Sequence, residues 1–421
     1  MSTNPNERPI EKEPYFHGWL PREDVDPMLL ADGDFLVRMG HPTKEMPKIP
    51  ILAVCVDHKA TDETKKNLHF IIKHEMGKYY IRKKEQYGSI QEMIETYMQS
   101  KEPIRVNAIL KTPINRKHWE LDHDSITILT ILGKRSCSDL NMGIFKMPND
   151  KKIHVVVVKA KVEKINIGQF TYMMDEARVM RDLCHPNVIQ FYGVALLKDP
   201  IYVVTDLASC GALDEYLSMN PDLPMQKKDE MCLQLAYGVE YIHSKGYIHR
   251  DLTAHTCLYD NGNVKIARFG LAIRENEKVS PTTPVAVRWQ APETLNTFTT
   301  YTFKTDVWAY GVVCWEIYNN GNTPYADKKW RQVAKEVGGG KGGELTLPSN
   351  VHPQIADMIT YKCWAYNPKD RATMSALCDH LEILFNKPKP DFEAYAAQHK
   401  AETEAVYKKD PKWKFWKHFK E

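Results

Sequence analysis

A series of short motifs in the second part of the chain constrains its fold more than any other feature. A β-branched run ends at Lys159, and a helical segment with one apolar face carries Glu176. The remaining motifs follow in the order His249-Arg250-Asp251, Phe269-Gly270, Ala291-Pro292-Glu293, Asp306-Val307-Trp308 and Arg371. Strand patterns dominate up to about residue 205 and helical patterns follow, so residues 125–385 are predicted to form a β-rich lobe joined to an α-rich lobe.

This region resembles a protein kinase along its whole length, and specifically the cytoplasmic tyrosine kinases. The likeness is carried by Ile248-His249-Arg250-Asp251-Leu252, Arg288-Trp289-Gln290-Ala291-Pro292-Glu293 and Thr305-Asp306-Val307-Trp308. It implies a bilobal fold that binds ATP, with an ion pair between Lys159 and Glu176 and with Asp251 at the position of the catalytic base. The nucleotide-binding residues that the resemblance implies are Lys159, Glu176, Gly133, Thr205 and Leu258.

Two positions that hold Mg²⁺ in this family carry other residues here. The family has an aspartate before Phe269-Gly270, where this chain has Arg268, and an asparagine in the catalytic loop, where this chain has Thr256. A guanidinium repels a metal ion, and a threonine hydroxyl reaches less far than an asparagine carbonyl. We therefore predict no metal site and no Mg²⁺ in the usual arrangement, which leaves ATP as the cofactor to consider.

Arg268 has two interpretations that the sequence leaves open. Its guanidinium either pairs with nucleotide phosphates in place of the metal, or pairs with Glu176 or Asp251 and fills the site. The second interpretation is the simpler one. Asp251 is then better explained as a residue that stabilises its loop than as a working base.

The phosphate-binding loop departs from the kinase pattern as well. Only Gly133 remains of three expected glycines, and Asp139 adds a negative charge near the position of the triphosphate. Val157 stands where the family usually has alanine, which narrows the adenine pocket. The frame itself is retained, because Glu293 and Arg371 can still form the buried ion pair of the large lobe.

Residues 14–105 have a different pattern, in which strand-like runs lie between helical segments near 21–31 and 89–99. This pattern predicts a small sheet flanked by two helices. The first strand-like run ends in an arginine, Arg38. A guanidinium is the best partner for a phosphate because it can donate two parallel hydrogen bonds.

The amino-terminal region resembles an SH2 domain. The likeness rests on Tyr15-Phe16-His17-Gly18-Trp19-Leu20-Pro21-Arg22, Gly33-Asp34-Phe35-Leu36-Val37-Arg38 and Leu68-His69-Phe70. It implies that Arg38 binds the phosphate of phosphotyrosine, that Arg22 assists and that His69 supports the pocket. The family's Glu-Ser after the arginine is Met39-Gly40 here, so we expect an altered peptide preference, with Thr43 as a candidate replacement for the lost hydroxyl.

The remaining segments connect and flank these two domains. Residues 106–124 are predicted to be a polar linker that contains Trp119, residues 1–13 a disordered terminus and residues 386–421 a basic aromatic tail. An SH2 domain joined through such a linker to a tyrosine-kinase domain most resembles the carboxy-terminal half of the Fes/Fer kinases. The predicted fold class is therefore α+β, an SH2 domain plus a bilobal protein-kinase-like domain.

Charge and cysteine content limit the partners. The formal net charge is only +3, which argues against a nucleic-acid partner. Residues 408–421 contain six lysines interleaved with Trp413 and Trp416, which suits an anionic membrane surface or, equally, a solvated terminus with docked aromatic side chains. Nine scattered cysteines and a polar amino terminus predict a cytoplasmic chain, peripheral at the membrane if the tail binds there.

Three functional hypotheses follow from these features. The first is an SH2-pseudokinase scaffold or allosteric regulator that binds phosphotyrosine on an active kinase or on a substrate. The second is a working tyrosine kinase with unconventional metal use, since Lys159, Glu176 and Asp251 are retained. The third is a membrane-associated adaptor, and it is compatible with either of the others.

Overall fold

The computed structural model describes residues 9–40, 49–161, 166–280, 284–295, 300–340 and 345–398. These residues form two compact units. The first comprises the described residues up to Met174 together with Gly193–Val204, and the second comprises Asp175–Tyr192 and residues 205–398. The fold class is α+β, as predicted.

The amino-terminal part of the first unit is built on a four-stranded sheet of order β3-β2-β1-β6. Strand β1 runs antiparallel to β2 and parallel to the short strand β6. Its elements are α1 (Arg22–Val25), β1 (Asp34–Gly40), β2 (Ile49–Cys55), α2 (Glu63–Lys66), β3 (Asn67–Ile71), β4 (Lys73–Glu75), β5 (Lys78–Tyr80), α3 (Ile90–Ser100) and β6 (Thr112–Pro113).

The two helices of this part begin and end for local reasons. The helix predicted near 21–31 is shorter in the structure, because α1 ends at Val25 and a 3₁₀ turn, Asp26–Met28, follows. Pro27 lies inside that turn and lacks the N–H that an α-helix would need. Helix α3 begins where the Ser89 side chain accepts a hydrogen bond from the backbone N–H of Glu92 at 3.0 Å.

A second sheet has five strands in the order β10-β11-β9-β8-β7. Both β7 with β8 and β8 with β9 are antiparallel, and the β7–β8 ladder has two register shifts between Ile128 and Gly133. Its elements are β7 (Ile126–Lys134), β8 (Ser138–Lys146), β9 (Lys152–Ala160), α4 (Ile167–Arg181), β10 (Phe191–Ala195) and β11 (Tyr202–Asp206).

Within the first unit, the predicted linker pairs with strand β10. The backbone N–H of Leu121 donates to the carbonyl oxygen of Val194 at 2.7 Å, and the N–H of Val194 donates back to Trp119 at 2.8 Å. Trp119 is 7% exposed. The polar composition of this segment did not indicate such a pairing, because its partner strand lies about 75 residues further along the chain.

Linker residue Arg116 orders the segment that enters the SH2-like region. Its Nη1 donates to the carbonyl oxygens of Glu11 at 3.3 Å, Glu13 at 3.0 Å and Phe16 at 3.2 Å. Ile10–Lys12 form a 3₁₀ turn in that segment. Order therefore begins before residue 14, where the domain was predicted to start.

The second unit is mostly helical. Helix α7 is buried on nearly all sides and packs against α6, which is typical of a central helix that is apolar all round. None of the helices in the described ranges is both long enough and apolar enough to cross a bilayer. The elements are α5 (Leu213–Met219), α6 (Met225–Ser244), β12 (Tyr247–Ile248), β13 (Cys257–Asp260), β14 (Asn263–Ile266), β15 (Ile273–Arg274), α7 (Phe303–Tyr318), α8 (Trp330–Gly338), α9 (Pro353–Asp357) and α10 (Met374–Phe385).

The first residues of the predicted tail pack on this unit. The ring of Phe392 lies 4.1 Å from the ring of His185 and 5.1 Å from that of Tyr237, measured between centroids. Burial lowers the pKa of His185 to about 3, so this histidine is a neutral aromatic partner. The basic aromatic stretch predicted to bind membranes, residues 408–421, lies outside the described residues.

Candidate functional site

Arg38 is the buried cation of the SH2-like sheet. It lies on β1 and is 9% exposed. Its Nη1 donates long hydrogen bonds to the carbonyl oxygens of Leu20 (3.4 Å) and Met39 (3.5 Å), and its Nε–H has no partner among the described residues. Burial, and then the nearby charge of Arg22, lower the pKa of Arg38. A buried guanidinium with unmet donors is well suited to receive an anion.

The other two predicted phosphate-binding residues meet at one carboxylate, that of Asp26. Arg22 Nε donates to Asp26 Oδ2 at 3.3 Å, and His69 Nε2 lies 3.2 Å from Asp26 Oδ1. Asn67 Nδ2 also donates to Oδ1, at 3.1 Å. Burial, and then the charges of Arg22 and Arg38, lower the pKa of His69, so its imidazole is neutral at pH 7. Together with Arg38, these four residues (Arg22, Asp26, Asn67 and His69) form one electrostatic cluster, which we call the anion pocket.

Asp26 is a member of this pocket that the sequence analysis missed. It is 6% exposed, and its backbone belongs to the 3₁₀ turn that replaces the end of the predicted helix. One signal was present, since Asp26 follows Arg22 by four residues, the spacing at which helical side chains form ion pairs. No local spacing indicates that His69 and Asn67, on the distant strand β3, share the same carboxylate.

Gly40 ends strand β1 beside the pocket arginine. A Cβ atom at this position would lie 2.8 Å from Arg38 Nη1 and 2.8 Å from Ile51 Cδ1. Glycine in place of the serine that the resemblance implies thus leaves room for the buried guanidinium. Thr43, the candidate replacement hydroxyl, lies outside the described residues.

The catalytic-loop motif of the second unit is held by a buried carboxylate. Asp306 accepts hydrogen bonds from the backbone N–H groups of His249 at 2.8 Å and Arg250 at 3.0 Å. His249 Nε2 donates to the carbonyl oxygen of Ala267 at 3.0 Å, and its Nδ1 accepts from the N–H of Asp251 at 3.3 Å. This bonding requires a neutral imidazole, in agreement with the lowered pKa that burial causes at His249.

Asp251 and Arg268 act on each other electrostatically. Burial raises the pKa of Asp251, and electrostatic interactions with His249 and Arg268 oppose that rise. Arg268 has an exposed side chain and a left-handed backbone, with φ 63° and ψ 67°, at the start of the 3₁₀ turn Phe269–Leu271. Phe269 is buried, and its ring meets that of His249 edge-on at 5.0 Å. The stretch therefore keeps an apolar anchor next to an exposed cation.

Thr256 is buried, and its hydroxyl bonds to the catalytic loop itself. Its Oγ1 donates to the carbonyl oxygen of Asp251 at 2.6 Å and accepts from the backbone N–H of Thr253 at 3.0 Å. Only 3% of the residue is exposed. This local network closes the turn between Asp251 and Thr256, an arrangement that short hydroxyl side chains favour.

The predicted nucleotide-binding residues are divided between the two units. Gly133, near the end of β7, and Lys159, on β9, belong to the first unit. Glu176 on α4, Thr205 on β11 and Leu258 on β13 belong to the second. The ion pair between Lys159 and Glu176 remains a prediction.

Two further residues near Lys159, Asp139 and Val157, belong to the first unit. Asp139 Oδ1 lies 3.0 Å from Lys161 Nζ, so its charge, expected to repel a triphosphate, has a counter-ion. Val157 is fully buried in β9. The motif pattern did not indicate the lysine that offsets this charge.

The ion pair predicted between Glu293 and Arg371 forms in the second unit, and it is bidentate. Arg371 donates through Nη1 to Glu293 Oε1 at 2.7 Å and through Nη2 to Oε2 at 2.8 Å. Arg371 is 2% exposed, and its guanidinium carbon lies 5.0 Å from the centroid of the Trp308 ring. Parallel bonds of this kind fix two segments in one geometry.

The sequence matches known protein families. The sequence model for protein tyrosine and serine/threonine kinases matches residues 126–381, more than half of the chain. The chain belongs to this kinase family. The model for SH2 domains matches residues 15–97 of the same chain. The kinase domain implies ATP as a ligand, and the SH2 domain implies phosphotyrosine-containing proteins as partners.

Several curated kinases are similar to this chain over nearly its whole length. Fer-related kinase 1 of Caenorhabditis elegans is 32% identical over 385 residues, which cover 90% of this chain and 96% of the nematode protein. Tyrosine-protein kinase Fer of Homo sapiens is 30% identical over 91% of this chain and 45% of Fer. The transforming protein Fps of avian sarcoma virus (strain PRCII) is 29% identical over 90% of this chain and 68% of Fps. The predicted resemblance to the Fes/Fer kinases is confirmed.

Proposed function

We propose that this chain is an SH2-pseudokinase, a phosphotyrosine-directed scaffold or allosteric regulator in tyrosine-kinase signalling. The observation that carries the proposal is the pair of residues at the two Mg²⁺ positions of the family. Arg268 brings a positive charge, and the Thr256 hydroxyl is engaged with Asp251 and Thr253. Mg²⁺ takes oxygen ligands in near-octahedral geometry. Arg268 supplies no oxygen and repels a cation, and the Thr256 hydroxyl is already hydrogen-bonded, so these two residues do not fit the ion.

The size of the expected loss in phosphoryl-transfer rate supports a scaffold over an enzyme. Charge neutralisation by metal ions contributes several kcal/mol to a phosphoryl-transfer transition state. Since each ~1.4 kcal/mol changes a rate about tenfold, loss of both ligands leaves at most a trace of activity. The structural frame survives, because Glu293 and Arg371 still form their ion pair.

Nucleotide binding with and without metal tests this proposal. We expect any rise in melting temperature with ATP to be the same in Mg²⁺ and in EDTA. The double variant Arg268→Asp, Thr256→Asn restores both ligand types and is expected to gain a Mg²⁺-dependent shift. A wild-type shift that requires Mg²⁺ would contradict the proposal. A shift that persists in EDTA and is lost in Arg268→Ala supports phosphate binding by that guanidinium.

We further propose that the SH2 domain supplies the scaffold's partner, a tyrosine-phosphorylated protein such as an active kinase or its substrate. The buried Arg38, with its Nε unmet among the described residues, supports this role. Calorimetry with phosphotyrosine peptides should give binding that Arg38→Ala removes. The matched control Arg105→Ala removes an exposed arginine of the same domain and should leave the affinity within about twofold. Equal affinities of wild type and Arg38→Ala would reject the pocket.

A working kinase is the alternative function, and one observation favours it. The catalytic loop keeps its organisation, because Asp306 binds the backbone of His249 and Arg250, and Asp251 is present. If a metal bound in an unconventional way, Asp251 would still be available as a base. Phosphorylation of a peptide that Asp251→Asn abolishes would establish this alternative and exclude the scaffold proposal.

We propose a cytoplasmic location with a membrane-facing tail. All nine cysteines are free thiols, and most are buried, which suits a reducing compartment. The lysines and aromatic residues of 408–421 supply both the charge and the interfacial rings that anionic lipid surfaces bind. Flotation with phosphatidylserine vesicles should fall when residues 408–421 are removed. Equal recovery of both proteins would reject the tail as a membrane contact.

A further inference from the structure

Asp26 is a counter-ion built into the anion pocket. Its Oδ2 accepts from Arg22 Nε, and its Oδ1 accepts from Asn67 and lies beside His69 Nε2. The residue is 6% exposed, so its charge is screened little by solvent. The charges of Glu23 and then of Asp26 raise the pKa of Arg38, opposing the effect of burial. In the unbound pocket this carboxylate therefore stabilises both guanidinium groups.

The same carboxylate becomes unfavourable when an anion binds. Among the described residues of the pocket, Arg22 and Arg38 supply two positive charges, Asp26 removes one, and the neutral His69 supplies none. A tyrosine phosphate carries about two negative charges at neutral pH. The phosphate must therefore share Arg22 with Asp26 while it is repelled by a fixed negative charge, and that repulsion is twice as large for a dianion as for a monoanion.

We propose that Asp26 is a selectivity residue of this pocket, which lowers the affinity for the phosphotyrosine dianion more than for a singly charged anion. The inference rests on the proposed phosphotyrosine-binding function and names a residue that sets its strength. A second feature fits it, since glycine at position 40 provides no hydroxyl to offset the cost. The pocket therefore binds the phosphotyrosine dianion weakly and reversibly.

Two aryl anions of similar shape separate charge from packing. Phenyl phosphate is largely a dianion at pH 7.5 and phenyl sulfate is a monoanion, and ligand-observed NMR on the full chain gives both affinities. Asp26→Asn keeps an oxygen acceptor for Asn67 while removing the charge. We expect it to raise the affinity about tenfold for phenyl phosphate and about threefold for phenyl sulfate, since the effect scales with ligand charge.

Control variants isolate the role of the buried carboxylate. Glu102→Gln removes an exposed negative charge elsewhere in the same domain and should change each affinity by less than about twofold, because solvent screens it. Asp26→Glu retains the charge and should keep the wild-type ratio of phosphate to sulfate affinity. If Asp26→Asn does not fold, Asp26→Ser removes the same charge with a smaller side chain that can still accept a hydrogen bond.

The outcomes distinguish the inference from the function on which it rests. Equal factors for the two ligands, or a loss of affinity for both, would mean that Asp26 acts through structure alone and would overturn the inference. If wild type binds phenyl phosphate in an Arg38-dependent way while Asp26→Asn leaves the ratio unchanged, only the inference fails. If wild type binds neither ligand nor any phosphotyrosine peptide, the inference and the proposed SH2 function both fail.

Discussion

The carboxyl group of Glu316 lies in the interior of the second unit, where only 2% of the residue is exposed. Its Oε2 accepts from the backbone N–H of Ala254 at 2.9 Å and from Trp289 Nε1 at 2.8 Å. Burial raises its pKa from 4.5 to about 8, and these two hydrogen bonds oppose that rise. Glu316 is therefore mostly protonated at pH 7 and joins the catalytic loop to the helix α7 that carries it.

This raised pKa makes stability depend on pH in a defined direction. The folded protein binds the Glu316 proton more tightly than the unfolded chain, so the stabilisation is complete below about pH 4.5 and is lost as pH rises through 8. Glu316→Gln keeps the acceptor oxygen and removes the titration. We expect the melting temperature of wild type to fall between pH 6 and 9 by at least ~3 °C more than that of the variant. Parallel melting curves would contradict the assignment.

The motifs located the functional positions along the chain, but they did not predict the hydrogen bonds and ion pairs that the side chains there form. Arg268 and Thr256 are recognisable as departures at metal positions from their place in the motifs alone. The engagement of the Thr256 hydroxyl by Asp251 and Thr253 depends on loop geometry, which the residue types do not specify. Asp26 was missed because its partners lie on another strand, although Arg22 four residues earlier gave a local signal.

Among the elements, the segment that contains β10 and Leu196 makes close backbone contacts with the SH2-like region and with the linker. Gly18 has φ +57°, and a Cβ there would lie 2.1 Å from the carbonyl oxygen of Leu196. Gly193 makes a similar approach, with a Cβ position 2.2 Å from the carbonyl oxygen of Trp119. The N–H of Trp19 donates to Leu196 at 3.0 Å. Glycine is required at both positions because a side chain would push these backbones apart.

Alanine substitution of Gly18 tests that contact. Gly18→Ala adds both a steric clash and a left-handed backbone for a non-glycine residue, so we expect a loss of ~3 kcal/mol or more in the free energy of unfolding. Gly77→Ala is the matched control, since Gly77 has φ +74° with no atom within 4 Å of its Cβ position. It should cost only ~1 kcal/mol, the backbone term alone. Equal losses in urea unfolding would show that the close contact adds nothing.

Periodicity identified most elements but not their ends or partners. The predicted helix near 89–99 matches α3. The helix predicted near 21–31 is interrupted at Pro27, and apolar periodicity does not take account of a proline. The linker appeared polar because its single large aromatic residue, Trp119, is isolated among polar residues. Its burial depends on a partner strand that is distant along the chain, and composition carries no information on such pairings.

For the whole molecule, motif order was enough to predict both domains and the kinase family. The predicted nucleotide-binding residues are distributed over two structural units, with Lys159 in one and Glu176 in the other. Their joint role follows from the resemblance alone. Catalysis by this domain depends on the charge and the oxygen ligands at two positions, Arg268 and Thr256.

Peptide phosphorylation by the purified full chain, in Mg²⁺ and in Mn²⁺, tests the central claim most directly. The account predicts that wild type and Asp251→Asn incorporate phosphate at the same background rate with either metal. It also predicts that phosphotyrosine binding through Arg38 persists in both proteins. A wild-type rate above that of Asp251→Asn in either metal would contradict the account and identify the chain as a working tyrosine kinase.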